Sequence, residues 1–198
     1  MRNLIFLIAA GCALAVPAAA QAPGKRAQAV FAGGCFWCTE SDFDKVPGVL
    51  STTSGYTGGK LDKPTYEQVS AGGTGHIEAV RVVYDPAKVS YAALVSHFVR
   101  TIDPTDAGGQ FCDRGYHYRS AIFVGDEGQR RIANAAKAKV AAALRKPVAT
   151  LILPAAPFFP AESYHQDYYK KNSVKYRFYR WNCGRDAKLK QVWGKAAG

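Results

Sequence analysis

From Ala27 to Leu153 the apolar residues switch repeatedly between alternation and helical spacing, and that restricts the chain to folds that lay helices against a sheet. Ala27 to Phe31 reads as a strand. Gly33-Gly34 reads as a tight turn that feeds a helix from about Cys35 to Lys45, stopped by Pro47-Gly48. Val49 to Tyr56 is β-like, 58–75 is glycine-rich and irregular with Tyr66 inside it, and Glu78 to Tyr84 alternates as a strand. Ser90 to Thr101 reads as a helix capped by Ser90, with Leu94, Val95, Phe98 and Val99 on one face. A loop from Asp103 to Gly115 precedes a strand at Ser120 to Val124, a long helix at Asp126 to Leu144 and a strand at Val148 to Leu153. This order predicts an α+β fold: a two-layer α/β sandwich, as a ferredoxin-like core or α/β roll, with a mixed sheet and a long irregular C-terminal tail.

The first twenty residues, MRNLIFLIAAGCALAVPAAA, combine one early base, an apolar run and small residues at Ala18 and Ala20. That is the pattern of a secretory signal cleaved after Ala20, and it predicts export, to a periplasmic compartment. Lipid attachment at Cys12 is the alternative. Residues 21–198 are then expected to form one domain, with 173–198 as a basic C-terminal tail. The 48% hydrophobic and 12% aromatic shares are ample for a core and exclude a disordered chain. The formal charge of +11 falls by one unit with Arg2. The remaining bases thicken only near the end, from Lys170 to Lys190, which reads as a solvated tail, so no nucleic-acid partner is expected. Met1 is the only methionine, a pattern open both to chance and to service where methionine is oxidised.

Four cysteines follow the leader: Cys35, Cys38, Cys112 and Cys183. Export permits disulfides, yet a domain of this size folds without them, so a catalytic reading stays open. One CxxC with two distant single cysteines is a weak zinc pattern, and no metal is expected. In FAGGCFWCTE the glycine turn leaves Cys35 at the start of a helix, where unpaired N–H groups and the helix dipole favour an anion. A partly ionised, reactive thiol is the expectation. Phe36 and Trp37 either wall an apolar pocket suited to a ligand with a methyl group near its reacting atom or serve as core residues of the helix. The FWC at a helix start also suggests a CxxC thiol–disulfide oxidoreductase of the cell envelope, although no later cis-proline context is evident. A Cys/His hydrolase using His76, His97, His117 or His165 has only residue type in its favour.

The segments GGCFWCTE, SGYTGG at 54–59, PTYEQVSAGGTGHIEAVRVVYDP at 64–86, QFCDRGYHYRSAIF at 110–123 and AESYHQDYY at 161–169 occur in one order. Together they resemble the peptide methionine sulfoxide reductase A family over roughly Val30 to Asn172. The resemblance implies an enzyme that reduces the S epimer of methionine sulfoxide, free or within oxidised proteins. Cys35 would attack the sulfoxide sulfur, Glu78 would supply the proton, and Tyr66, Tyr118 and Asp113 would bind the substrate beside Phe36 and Trp37. His165 would be a structural residue near the site.

The same resemblance implies a sulfenic acid on Cys35, resolved as a disulfide and then reduced by a thioredoxin-like partner, with no cofactor and a monomeric enzyme. Many family members carry glycine where this chain has Cys38, and many carry resolving cysteines in a glycine-rich tail. Cys183 is the first choice as resolving thiol because a tail-borne cysteine can swing over the site. Cys112 is second and Cys38 third, since neighbours three apart on a helix rarely bond without strain outside thioredoxin-type pairs.

Overall fold

The computed structural model describes residues 26–194; the expected leader and Cys12 lie outside the described residues. These residues build a six-stranded sheet in the order β7-β6-β1-β3-β2-β8. Its strands are β1 (Ala27–Gly33), β2 (Val49–Thr57), β3 (Ile77–Tyr84), β6 (Ser120–Val124), β7 (Leu151–Pro154) and β8 (Phe158–Pro160). Only the β6–β7 pair is parallel, and the long helix α4 (Glu127–Leu144) is the crossover that such a pair requires. The expected α+β class with a mixed sheet is therefore what forms.

Alternation decides which strand residues meet the helices. Phe31, Val80, Val82 and Ile122 join one large cluster with Phe43 of α1 (Phe36–Phe43), Leu94 and Phe98 of α3 (Tyr91–Arg100) and Ala133 and Val140 of α4. Their neighbours Ala32, Ile77, Ala79, Ala121 and Phe123 form a smaller cluster from the opposite face. Phe31 sits at the centre of the large one, its ring 4.8 Å from Phe43 and 5.0 Å from Phe98. Burying such a side chain contributes about 1.5–3 kcal/mol, so these three packed phenylalanines anchor α1 and α3 firmly to β1. The caps follow the expected chemistry: the hydroxyl of Ser90 accepts from the N–H of Ala93, and the carboxylate of Asp126 accepts from that of Gln129.

Three segments depart from expectation. The glycine-rich stretch 58–75 contains the short helix α2 (Tyr66–Ser70), because Thr65 and Gln68 form a reciprocal capping box. The 103–115 loop contains a two-stranded ribbon, β4 (Gly109–Gln110) with β5 (Asp113–Arg114). The largest correction concerns the tail. It is not irregular: after α5 (Tyr168–Lys171), α6 (Ser173–Asn182) and α7 (Arg185–Trp193) continue to the end of the described chain. Tyr176, Tyr179, Arg180 and Cys183 lie at i, i+3, i+4 and i+7 and share one face, a periodicity that the flanking bases obscure. Gly184, with φ 67°, turns the chain between the two helices.

α7 is fastened to the sheet rather than solvated. Arg185 is 1% exposed, and its guanidinium donates to the carbonyls of Gly33 at 3.3 Å and Thr101 at 2.7 Å. Trp193 donates from its indole nitrogen to the Ile102 carbonyl at 3.0 Å. Gly34, with φ 81°, completes the β1–α1 turn, and a Cβ there would stand 2.5 Å from Cβ of the buried Gln110. Gly34→Ala adds left-handed strain to that overlap and should lower unfolding stability by about 2–4 kcal/mol. Urea denaturation checks this, and a midpoint equal to the parent's would refute the steric account.

Candidate active site

Cys35 is the N-cap of α1, set by the Gly33-Gly34 turn, and only 5% of its surface is exposed. Its carbonyl accepts from the N–H of Cys38 at 3.1 Å and of Thr39 at 3.2 Å, which winds the first turn tightly around it. The N–H of Phe36, unpaired within the helix, donates to Oε2 of Glu78 at 3.0 Å. Glu78 reaches this position because Ile77–Tyr84 runs antiparallel to β1, with Tyr56 of β2 as its cross-strand partner.

The electrostatics differ from the expected ionised thiol at a helix start. Burial pushes the Cys35 thiol well above its ordinary value, and the neighbouring Cys38 and Glu78 push in the same direction. Desolvation outweighs what a single helix turn offers an anion. Cys38 moves the opposite way: a hydrogen bond from Cys35 holds its proton affinity down, and the guanidiniums of Arg185 and Arg180 assist. Burial also lifts Glu78 to about 8, against the pull of the Phe36 N–H, so its carboxyl holds a proton at neutral pH.

Around this centre stand the phenols. Burial pushes the phenols of Tyr66 and Tyr118 up, so both keep their protons. Tyr66 is held by its backbone N–H, which donates to Glu162 at 2.8 Å. Tyr179 of α6 donates its hydroxyl to Oδ2 of Asp113 at 2.5 Å and packs against the buried cluster of Cys35, Cys38 and Tyr176. Phe36 is fully buried against Tyr56 and His165, with ring centroids 5.9 Å and 4.9 Å away. Trp37 stacks on Tyr168 at 3.7 Å and donates from Nε1 to Nδ1 of His165 at 3.0 Å. That bond leaves the proton of His165 on Nε2, and burial keeps the imidazole neutral.

Every residue anticipated for catalysis or substrate binding is thus linked to this one region: Cys35, Glu78, Phe36, Trp37, Tyr66, Asp113 and Tyr118. The remaining cysteines divide. Cys112 and Cys183, the second and first choices as resolving thiol, are joined to each other as a disulfide, whereas Cys35 and Cys38 are free. Tyr179, Tyr168, Arg180 and Arg185 were missed by sequence reasoning. The shared helical face of Tyr176, Tyr179, Arg180 and Cys183 was the signal that could have found two of them.

Two touching thiols beside a protonated carboxyl can carry out redox chemistry at sulfur, and the fold and site define a thiol oxidoreductase. The family profile described as peptide methionine sulfoxide reductase matches residues 27–197. The chain is 55% identical over 196 residues to "Peptide methionine sulfoxide reductase MsrA 2" of Caulobacter vibrioides, covering 98% of this chain and 100% of that one. It is 51% identical to the protein of the same description from Rhizobium meliloti, covering 100% of this chain and 97% of the other. Among solved structures, methionine sulfoxide reductase A of Corynebacterium diphtheriae is 36% identical with a TM-score of 0.68, each chain covered to 78%. Mxr1 from Saccharomyces cerevisiae in reduced form is 30% identical with a TM-score of 0.72, covering 75% of this chain and 87% of that one. The chain belongs to the peptide methionine sulfoxide reductase family and is an oxidoreductase by that membership.

The raised proton affinity of Glu78 makes stability depend on pH. Between its ordinary value of 4.5 and about 8 the native state holds a proton that the unfolded chain has released, so this group's contribution to stability declines as pH rises through that window. Glu78→Gln keeps an acceptor for the Phe36 N–H but cannot ionise. It should slow sulfoxide reduction by about 10²–10⁴-fold, while its melting temperature should gain on the parent's between pH 5 and pH 9. Calorimetry across that range checks the sign, and a constant difference would contradict the assignment.

Proposed function

We propose that this chain reduces the S epimer of methionine sulfoxide, in proteins or as the free amino acid, with Cys35 as nucleophile and Glu78 as proton donor. The observation that carries the reading is the neutral carboxyl of Glu78, held by the Phe36 N–H at the helix start that bears Cys35. A sulfoxide oxygen becomes a leaving group only when protonated, and an acid that keeps its proton at neutral pH supplies what the step needs. The protonated hydroxyls of Tyr66 and Tyr118 offer hydrogen bonds to the same oxygen, and Asp113, held by Tyr179, orients the substrate. Phe36 and Trp37 present an apolar surface to the methyl group.

Cys35 loses its proton and attacks the sulfoxide sulfur while Glu78 protonates the oxygen; the hydroxyl then passes to the Cys35 sulfur as the S–O and S–S bonds to the substrate sulfur break, which releases methionine and leaves a sulfenic acid on Cys35. A second cysteine displaces that oxygen as water. The resulting disulfide equivalent leaves the protein through Cys112–Cys183, of which Cys112 is exposed, to the dithiol of a thioredoxin-like protein. The leader-like residues 1–20 support repair of oxidised proteins in the cell envelope as the setting.

Cys35→Ser should abolish turnover of a methyl sulfoxide, and near-parental activity would overturn the assignment. Cys183→Ser should lower thioredoxin-driven turnover by at least about tenfold, with dithiothreitol restoring much of it by reducing Cys35 directly. Equal rates with the protein reductant would remove Cys112–Cys183 from the path. Absence of exchange on a scrambled disulfide separates this activity from a general thiol–disulfide oxidoreductase.

A further inference from the structure

The inner face of α6 is covered by the rest of the fold, and the outer face is not. Tyr176, Tyr179 and Cys183 turn toward Cys35 and the β4–β5 ribbon. On the other side Val174 is 70% exposed, Phe178 64% and Trp181 74%. We propose that this outer face of α6 docks the protein onto the surface of an anionic phospholipid membrane.

Spacing comes first. Val174, Phe178 and Trp181 stand at i, i+4 and i+7, so they form one stripe along the helix. The rings of Phe178 and Trp181 pair with each other at 6.0 Å between centroids, and none of the three side chains belongs to a core cluster among the described residues. Scattered exposed apolar residues are ordinary on a soluble protein. A contiguous stripe of this kind, with two large aromatics in it, marks a contact surface.

Charge selects the partner. At about 100° per residue, Arg177 borders the stripe on one side and Lys175 on the other, and Lys171 stands just before the helix. All three bases are exposed, and among the described residues none of them enters an ion pair. From Tyr168 to Arg185 the sequence contains bases and no acid. The matching surface is therefore negatively charged with an apolar layer beneath the charge. A phospholipid interface has that order: phosphates at the level of the basic heads, and below them the boundary where tryptophan and phenylalanine rings settle. Lysine and arginine reach the phosphates along their flexible stems while the rings between them go deeper. Export, proposed above from residues 1–20, would bring the chain beside such a surface.

Two other occupants fit less well. A second copy of this chain, meeting the stripe about a two-fold axis, would bring only bases against bases. The thioredoxin-like reductant needs the disulfide, and the stripe is turned away from it. Trp181 and Cys183 are two residues apart, about 200° around the helix, so they point to opposite sides. The exposed Cys112, bonded to Cys183, lies on that far side with it.

The test uses the protein recovered from the producing cell after export, its N-terminus read by mass spectrometry so that parent and variants are compared with the same start. Flotation is measured with vesicles of phosphatidylglycerol and phosphatidylcholine in equal parts, and with phosphatidylcholine alone. The parent should float with the anionic vesicles, less so as salt rises. Val174→Ser/Phe178→Ser/Trp181→Ser and Lys171→Gln/Lys175→Gln/Arg177→Gln should each lower that partition by at least about tenfold, with dithiothreitol-driven turnover of a soluble methyl sulfoxide unchanged. Brominated acyl chains should quench the parent's fluorescence, and Trp181→Phe, which keeps the stripe apolar, should lose most of that quenching. A parent that stays unbound, or that partitions equally onto phosphatidylcholine alone, overturns the proposal. So does equal flotation of the parent and the serine variant, which would place the binding elsewhere in the chain. Selective loss of thioredoxin-driven turnover in solution by the serine variant would assign the face to the reductant, and a concentration-dependent dimer abolished by the same substitutions would assign it to a second copy; either result overturns membrane docking.

Discussion

The hydrogen bond from the Phe36 N–H to Glu78 is the contact on which the site depends. It places a carboxyl where a helix start would otherwise bind an anion, and it joins β3, near the middle of the sheet, to the residue after Cys35. The cost is desolvation. A carboxylate there would be stabilised by the N–H, but burial prevails and the proton stays. The same exclusion of water suppresses ionisation of Cys35. Both groups are therefore held neutral in the free protein, and in the proposed reaction their protons move only when a substrate oxygen arrives.

That arrangement needs a lid over α1, and the C-terminal helices provide it. Arg185 is a buried cation that ties the carbonyl of Gly33, in the turn that precedes Cys35, to that of Thr101 at the end of α3. Its guanidinium lies 4.5 Å from the ring centroid of Phe111, the residue before Cys112. A single side chain thus touches the turn that aims Cys35, the helix that supports it and the segment that carries the disulfide. Removing such a buried partner typically costs several kcal/mol because it strands its neighbours, so these contacts link stability to catalysis.

On the other side of the site the aromatic wall is fixed by polar contacts rather than by packing alone. Trp37 is clamped between the Tyr168 ring and the Nδ1 acceptor of His165. Glu162 receives both the Tyr66 N–H and the Tyr56 hydroxyl, each at 2.8 Å. The AESYHQDYY segment therefore acts as a bracket: it holds the first turn of α1 and the Tyr66 helix in one position.

Local chemistry wrote much of this into the sequence. Alternation and helical spacing located the β1–α1 turn, the Ser90 cap and the strand Ser120–Val124 to within a residue or two, because those signals need only near neighbours. The order of motifs pointed to Cys35, Glu78, Tyr66 and Tyr118 as candidates, and the fold brings Cys35 and Glu78 to the same helix start. The tail was misread because outward-facing bases hid an inward face of Tyr176, Tyr179, Arg180 and Cys183. The ionisation of Cys35 was misread because a helix start is a local feature, whereas desolvation is the sum of everything packed above it. Which cysteines touch was likewise open in one dimension, since Cys112 and Cys183 are 71 residues apart and meet only where α6 ends against the β4–β5 ribbon. Pairing and proton affinity depend on distances in space, and folding of α6 and α7 onto the nucleophile turn is what set them.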